Sequence, residues 1–185
     1  LNRALKNIDR GQDEVLFHAW ATGQTGMPMV DANMRCLQTT GWINFRMRAM
    51  LTSYATFTLW LDWKMVALHL SQLFTDFEPG IHYSQVQMQA GLTGYHTLRV
   101  YNPITQSERH DPDGKFVHQW VPELKEIPIP QVYEPWKMPS MEQQFYRCQI
   151  GIDYPAPIVD FKAATRKNKD RYWAFRQAPE VKAYL

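Results

Sequence analysis

Ile43 to Leu61 reads INFRMRAMLTSYATFTLWL, with apolar residues at Ile43, Met47, Met50, Tyr54, Phe57 and Leu61. Steps alternating between four and three gather these side chains on one side of an α-helix turning about 100° per residue. Asn44, Arg48, Thr52 and Ala55 fall roughly opposite. That second face is polar or small, so it meets either solvent or a bulky ligand. The pattern stays helical in both directions. Asp13 to Trp20 reads as the end of a helix stopped near Gly23. Pro28, at a first helical position, opens a helix through Leu37 that Gly41 closes. Asp62 is placed to cap the next helix, with Trp63, Val66, Leu70, Leu73 and Phe77 as its stripe. Shorter helices are expected over Tyr83–Ala90 and Met141–Cys148, and a last one from Pro157 to about Gln177. Tyr101 to Lys115 reads as an ordered loop, with Asn102-Pro103 and Asp111-Pro112-Asp113-Gly114 as turns. Five prolines between 122 and 139 punctuate a long connection. Strand patterning is nearly absent. The expected fold class is all-α, with one helical domain over residues 1–185.

The bulk numbers agree with a globular chain: 185 residues, 45% hydrophobic and 21% charged. A net charge of +2 permits contact with an anion or nucleic acid without arguing for it. The two cysteines, Cys36 and Cys148, form no CxxC pair and point to a reducing, cytoplasmic setting. No run of apolar residues is long enough for a membrane span. Aromatics at 14%, with seven Trp, build either a large core or stacking and electron-relay surfaces. HExxH, Walker A and GxSxG patterns do not occur and the six histidines are scattered, which argues against hydrolase and metalloenzyme classes. The chain opens at Leu1 in mid-pattern, as a fragment or processed chain would.

Arg48 sits mid-helix on the small face, where a buried guanidinium needs an anionic partner. Asp76 and Glu78 fall at the expected C-terminal end of the following helix, where the helix dipole disfavours carboxylates. Another cation or a hydrogen-bonding ligand is therefore expected to hold them. An Arg48–Asp76 ion pair meets that need either as a purely structural link or as part of a site. The basic run Arg166, Lys167, Lys169, Arg171 reads as a solvated helix face.

Trp20 to Met50, WATGQTGMPMVDANMRCLQTTGWINFRMRAM, resembles the flavin-binding core of the photolyase/cryptochrome family. The family writes this stretch W-x-x-G-x-T-G-x-P-x-V-D-A-x-M-R-x-L-x-x-T-G-W-x-x-x-R-x-R. The likeness continues through LDW at Leu61–Trp63, YNPITQ at Tyr101–Gln106, DPDG at Asp111–Gly114, WVPEL at Trp120–Leu124, EPW at Glu134–Trp136 and DYPAPIVD at Asp153–Asp160. It implies the C-terminal part of a helical FAD-binding domain. It pairs Arg48 with Asp76 beside the isoalloxazine, turns Glu78 toward that ring's polar edge and counts Trp42 among the flavin-binding side chains. By offset it puts His82 opposite flavin N5, as a proton donor or acceptor, the other reading being a surface histidine in a Pro79-Gly80 turn. Trp63 matches the middle member of the electron relay, while the flavin-proximal member falls at Val86. Arg46 matches the arginine that reaches a DNA lesion and its phosphate, or is simply solvated. Met88 stands where a tryptophan packs on the lesion, and Phe45 and Ala49 replace the standard lesion-recognition residues.

The resemblance implies a flavoprotein of the DNA photolyase class, using blue light to repair pyrimidine photoproducts, with FAD and damaged DNA as partners. Two alternatives stay open: a cryptochrome-like photoreceptor without repair, and a cofactor-free piece acting as an interaction module. The Thr-Ser-x-x-Ser-type pyrophosphate loop and the Trp-Arg-Glu-Phe helix of the family do not occur in these residues. The chain by itself is thus expected to hold FAD weakly or not at all, and its exposed pocket to favour self-association.

Overall fold

The structure, a computed structural model, describes residues 4–94 and 98–183. Ten α-helices are described: α1 (Glu14–Ala21), α2 (Pro28–Thr40), α3 (Phe45–Ser53), α4 (Trp63–Leu73), α5 (Pro79–Gln89), α6 (Pro103–His110), α7 (Lys115–Trp120), α8 (Ser140–Phe145), α9 (Phe161–Gln177) and α10 (Pro179–Lys182). Among the described residues there is no β-strand, only isolated bridges joining Gly11 to Leu61 and Ile150 to Tyr154. The fold is all-α.

Helix α2 is the axis. Pro28 occupies its first turn, and its C-cap Gly41 adopts the left-handed conformation at φ 71° while donating to the Leu37 carbonyl at 2.8 Å. Residues Pro28 to Met34 are all buried, so the helix is enclosed on every side near its start. Such a helix must satisfy its own polar groups. The Asp31 carboxylate accepts from Thr25 N at 2.8 Å, Thr25 Oγ1 at 2.6 Å, Gly26 N at 3.0 Å and the Tyr154 hydroxyl. Burial still pushes its carboxyl up to about 6 against those hydrogen bonds. One side chain thus ties the loop before α2 to the chain segment at Tyr154. Gly26, at φ 73°, lies so close to that segment that a Cβ would stand 2.4 Å from the Ala156 carbonyl.

The Ile43–Leu61 stripe is buried at every position, but not as one continuous helix. After Ser53 the chain widens into a π-helical turn over Tyr54–Thr58, then reverses at Trp60, whose φ is 59°. Leu61 and Asp62 close the break: Leu61 N donates to Ala55 O and Asp62 N to Gly11 O, each at 2.9 Å. Asp62 caps α4 as expected, accepting from Lys64 N at 2.7 Å. Helices α1 to α4 enclose the largest apolar cluster, around Trp20, Met34, Met50 and Tyr54. A second cluster, around Val117, Val121, Val132 and Tyr154, underlies the proline-punctuated connection.

Four local expectations are corrected. Asn102-Pro103 is not a turn inside a loop. Asn102 is the cap of α6, accepting from Ile104 N at 3.0 Å, with Pro103 in the first turn. Asp111 does make the turn expected of it, because its two carboxylate oxygens accept from Phe116 N and Val117 N at 2.9 Å, at the start of α7. The last long helix begins at Phe161, capped by Asp160, rather than at Pro157. Helix α5 starts at Pro79, earlier than Tyr83, because Glu78 caps it there. α4 ends at Leu73, which leaves Asp76 beyond the helix end and Glu78 at the favourable N-terminus of α5, so the dipole argument for both carboxylates falls.

Candidate functional site

Asn44 starts α3 by accepting from Met47 N at 3.1 Å. From there Phe45, Arg48, Ala49 and Thr52 recur at helical spacing and form one wall of a cleft. The opposite wall is the face of α5 that carries Ile81, His82, Gln85, Val86 and Gln89; Leu70 and Phe74 of the α4 region close it, and Asp76, Phe77 and Glu78 line it as well. The cavity measures about 170 Å³. Phe45 and Ile81 are exposed, at 58% and 64% of their surface, so its surroundings include uncovered apolar side chains.

Arg48 is held from three directions. Its Nε donates to the Ile43 carbonyl at 2.8 Å, its Nη2 donates to Asp76 Oδ2 at 2.8 Å, and its guanidinium stands 4.1 Å from the Phe74 ring centre. The Arg48 hydrogen bond holds the Asp76 carboxyl below the usual carboxylate range. Asp76 is half exposed, so the pair adds little to stability. Its effect is to fix a cation in one place in a largely apolar cleft.

His82 is buried in α5, not in a surface turn. Its Nε2 lies 2.8 Å from the Ala67 carbonyl, which can only accept, so Nε2 carries the proton of the neutral ring. Phe74, Phe77 and Tyr83 meet the ring edge-on at 5.2–5.9 Å. Burial lowers its pKa below the usual histidine value, and the Arg48 charge lowers it further. Glu78 accepts from Gly80 N at 3.1 Å and Ile81 N at 2.6 Å. Its carboxylate is thus committed to the helix N-terminus. Gln85, which helps line the cleft, buries its Oε1 with no hydrogen-bond partner. An unmet acceptor in an apolar-walled cleft that also holds a clamped cation suits a flat ring with a polar, N–H-bearing edge, and a flavin has one.

Of the residues singled out from the sequence, Arg48, Asp76, Glu78 and His82 come together in this cleft. Four do not. Trp42 is 55% exposed and lines a separate cavity with Asn33, Cys36 and Met47. Arg46 is exposed and does not line the cleft. Trp63 is half-buried against the cluster of Leu5, Ala90, Leu92 and Val181. Met88 is half-buried outside the lining. Gln85 and Gln89 were missed, although their spacing from His82 puts them on the same helical face.

The family model for the FAD binding domain of DNA photolyase matches residues 1–174. A deoxyribodipyrimidine photo-lyase of Alkalihalophilus pseudofirmus is 36% identical over 163 residues, which are 87% of this chain and 34% of that protein. A cryptochrome DASH of Natronomonas pharaonis is 35% identical over 158 residues, 85% of this chain and 33% of that one. A bacterial class III photolyase from Agrobacterium tumefaciens superposes with a TM-score of 0.90 at 30% identity, over 96% of this chain and 37% of the other. The chain spans about a third of the length of the curated relatives it matches. Helical order, cleft and sequence likeness agree, and the chain belongs to the photolyase/cryptochrome family through that family's FAD-binding domain.

Proposed function

We propose that this chain supplies the isoalloxazine-facing wall of an FAD site, in a protein that uses blue light to repair pyrimidine photoproducts in DNA. The observation that carries this reading is Arg48, clamped between Ile43, Asp76 and Phe74 in the α3–α5 cleft. Bound in the cleft, the flavin would supply the electron that opens the photoproduct. The chain's own residues position it. Arg48 presents a fixed positive charge to the polar edge of the ring, and Gln85 offers its unmet oxygen to an N–H there. His82, with Nε2 committed to Ala67, keeps Nδ1 as the atom that can take or return a proton. Arg46, exposed and without an ion pair among the described residues, is free for a DNA phosphate, and Met88 of α5 offers an apolar side chain. The helical domain of residues 1–185 acts as one part of a larger flavin domain.

A second reading, a cryptochrome-like photoreceptor without repair, is supported by the cleft walls. Phe45, Ala49 and Val86 line the cleft and give a base no hydrogen-bond donor. The absorption spectrum of the purified full-length protein before and after blue light tests the flavin, and light-dependent repair of thymine dimers separates the two readings. Flavin bands with repair support the first, flavin bands without repair support the second, and a colourless protein overturns both.

A further inference from the structure

Helix α9 concentrates charge in a way the composition conceals. It carries Lys162, Arg166, Lys167, Lys169, Arg171 and Arg176 against one acid, Asp170. That is +5 on a helix of a chain whose net charge is +2, so the remaining residues sum to −3. None of these cations joins an ion pair among the described residues.

The arrangement is one-sided. Lys162, Arg166, Lys169, Trp173 and Arg176 follow steps of four, three, four and three, so they share a stripe about 80° wide and about 21 Å long. Asp170 projects about 80° from the stripe's centre. The first four are exposed, Trp173 to 42% of its surface. That indole is braced: the Arg176 guanidinium lies 5.2 Å from its ring and Tyr172 meets it edge-on at 5.5 Å. Tyr172 is itself fixed by its hydroxyl, which donates to the Gly91 carbonyl at 2.7 Å. The other side of α9 faces the protein, where Asn168 Nδ2 donates to the Phe57 and Thr58 carbonyls at 3.0 and 3.1 Å. No residue of the stripe lines the α3–α5 cleft.

We propose that this face of α9 is a docking surface for single-stranded nucleic acid, separate from the flavin cleft, with the cations on successive phosphates and Trp173 stacking on a base. Charge complementarity and a braced, exposed indole are what a sequence-tolerant single-strand surface combines. A membrane surface fits less well, because a helix lying in a bilayer interface buries an apolar face, and here only Trp173 is available for that.

The test is fluorescence anisotropy of a labelled oligothymidine titrated with the protein at several salt concentrations. Arg166→Glu/Lys169→Glu should weaken binding about tenfold or more and flatten the slope of log affinity against log salt by about 1.4, the expectation for two lost phosphate contacts on a single strand. Trp173→Ala should weaken binding several-fold and abolish quenching of tryptophan emission by the oligonucleotide. Lys64→Glu/Lys125→Glu, the same change of net charge at two other exposed positions, should change it by less than about twofold. Arg166→Gln/Lys169→Gln gives the same comparison with a milder change, and circular dichroism verifies that each variant is folded. The proposal is overturned if wild type does not bind, if the two charge reversals act equally, or if anionic vesicles bind at α9 and the oligonucleotide does not.

Discussion

Arg48 and Asp76 stand 28 residues apart in sequence and meet at 2.8 Å, Nη2 to Oδ2, on the wall of one cleft. The Asp76 side chain is half exposed and Arg48 three-quarters buried. That asymmetry predicts a separation of effects. Asp76→Ala should change the stability of the cofactor-free protein by less than about 1 kcal/mol, because exposed pairs contribute little. In the full-length protein it should lower flavin occupancy about tenfold or more, since Arg48 loses the group that orients it. Visible absorbance per mole of purified protein reads the second effect and urea denaturation the first. Unchanged flavin occupancy would remove Asp76 from the site.

Gln85→Leu should act with opposite signs on the two quantities. The wild-type Oε1 is buried without a partner, and removing such an orphan is expected to stabilise the cofactor-free protein by about 1 kcal/mol. The same change takes away an acceptor from the cleft and should reduce flavin retention. A variant that loses stability instead would mean that Gln85 is already satisfied within the fold.

His82 predicts a pH dependence. Its folded pKa lies below the unfolded value of about 6.5, so folding favours the neutral ring. Below about pH 6.5 the unfolded state binds the proton more readily, and stability falls with falling pH until the folded ring also titrates. His82→Gln should lose that component of the slope between about pH 7 and pH 5. His69 is shifted in the same direction and supplies a similar slope that remains in the variant. Denaturation midpoints for the two proteins across this range give the difference, and parallel curves would contradict the prediction.

Gly26→Ala should cost about 3 kcal/mol or more. The residue is left-handed at φ 73°, and its new Cβ would stand 2.4 Å from backbone atoms of Ala156, which cannot swing away. Gly41→Ala, at φ 71°, would meet the Thr75 Cγ2 methyl, a side chain that can turn aside, and should cost less, about 1–2 kcal/mol. Equal losses would mean that backbone conformation alone sets both costs.

The fold was legible wherever periodicity and caps agreed. The Ile43–Leu61 stripe names six residues that are all buried, and Asp62 starts α4 and Gly41 ends α2 where their chemistry says they should. The π turn after Ser53 was not legible, because the stripe from Ile43 to Leu61 keeps the four- and three-residue steps of an ordinary α-helix throughout. Asn102-Pro103 was misread because the same dipeptide begins a turn or caps a helix, and only the helix that follows distinguishes them. In the cleft, Arg48 and Asp76 could be paired from charge and family resemblance. The assignment of Glu78 to the start of α5 depends on where α4 stops, which propensity leaves uncertain by a few residues. Trp42 and Trp63 were singled out by the family resemblance, and they stand outside the cleft, Trp42 on a second cavity and Trp63 against a separate apolar cluster.

The most direct test of the central claim, that the α3–α5 cleft seats a flavin, is a titration of the 185-residue chain with FAD followed by backbone amide NMR. If the cleft is the ring-facing wall, it works here without the family's pyrophosphate loop, so affinity weaker than micromolar is expected. The account predicts fast-exchange shifts confined to Arg48, Ala49, Asp76, His82, Gln85 and their neighbours, and their loss in Asp76→Ala. Saturable shifts around Cys36 and Trp42 with the α3–α5 cleft unmoved would contradict the site, and submicromolar one-to-one binding would contradict the weak affinity.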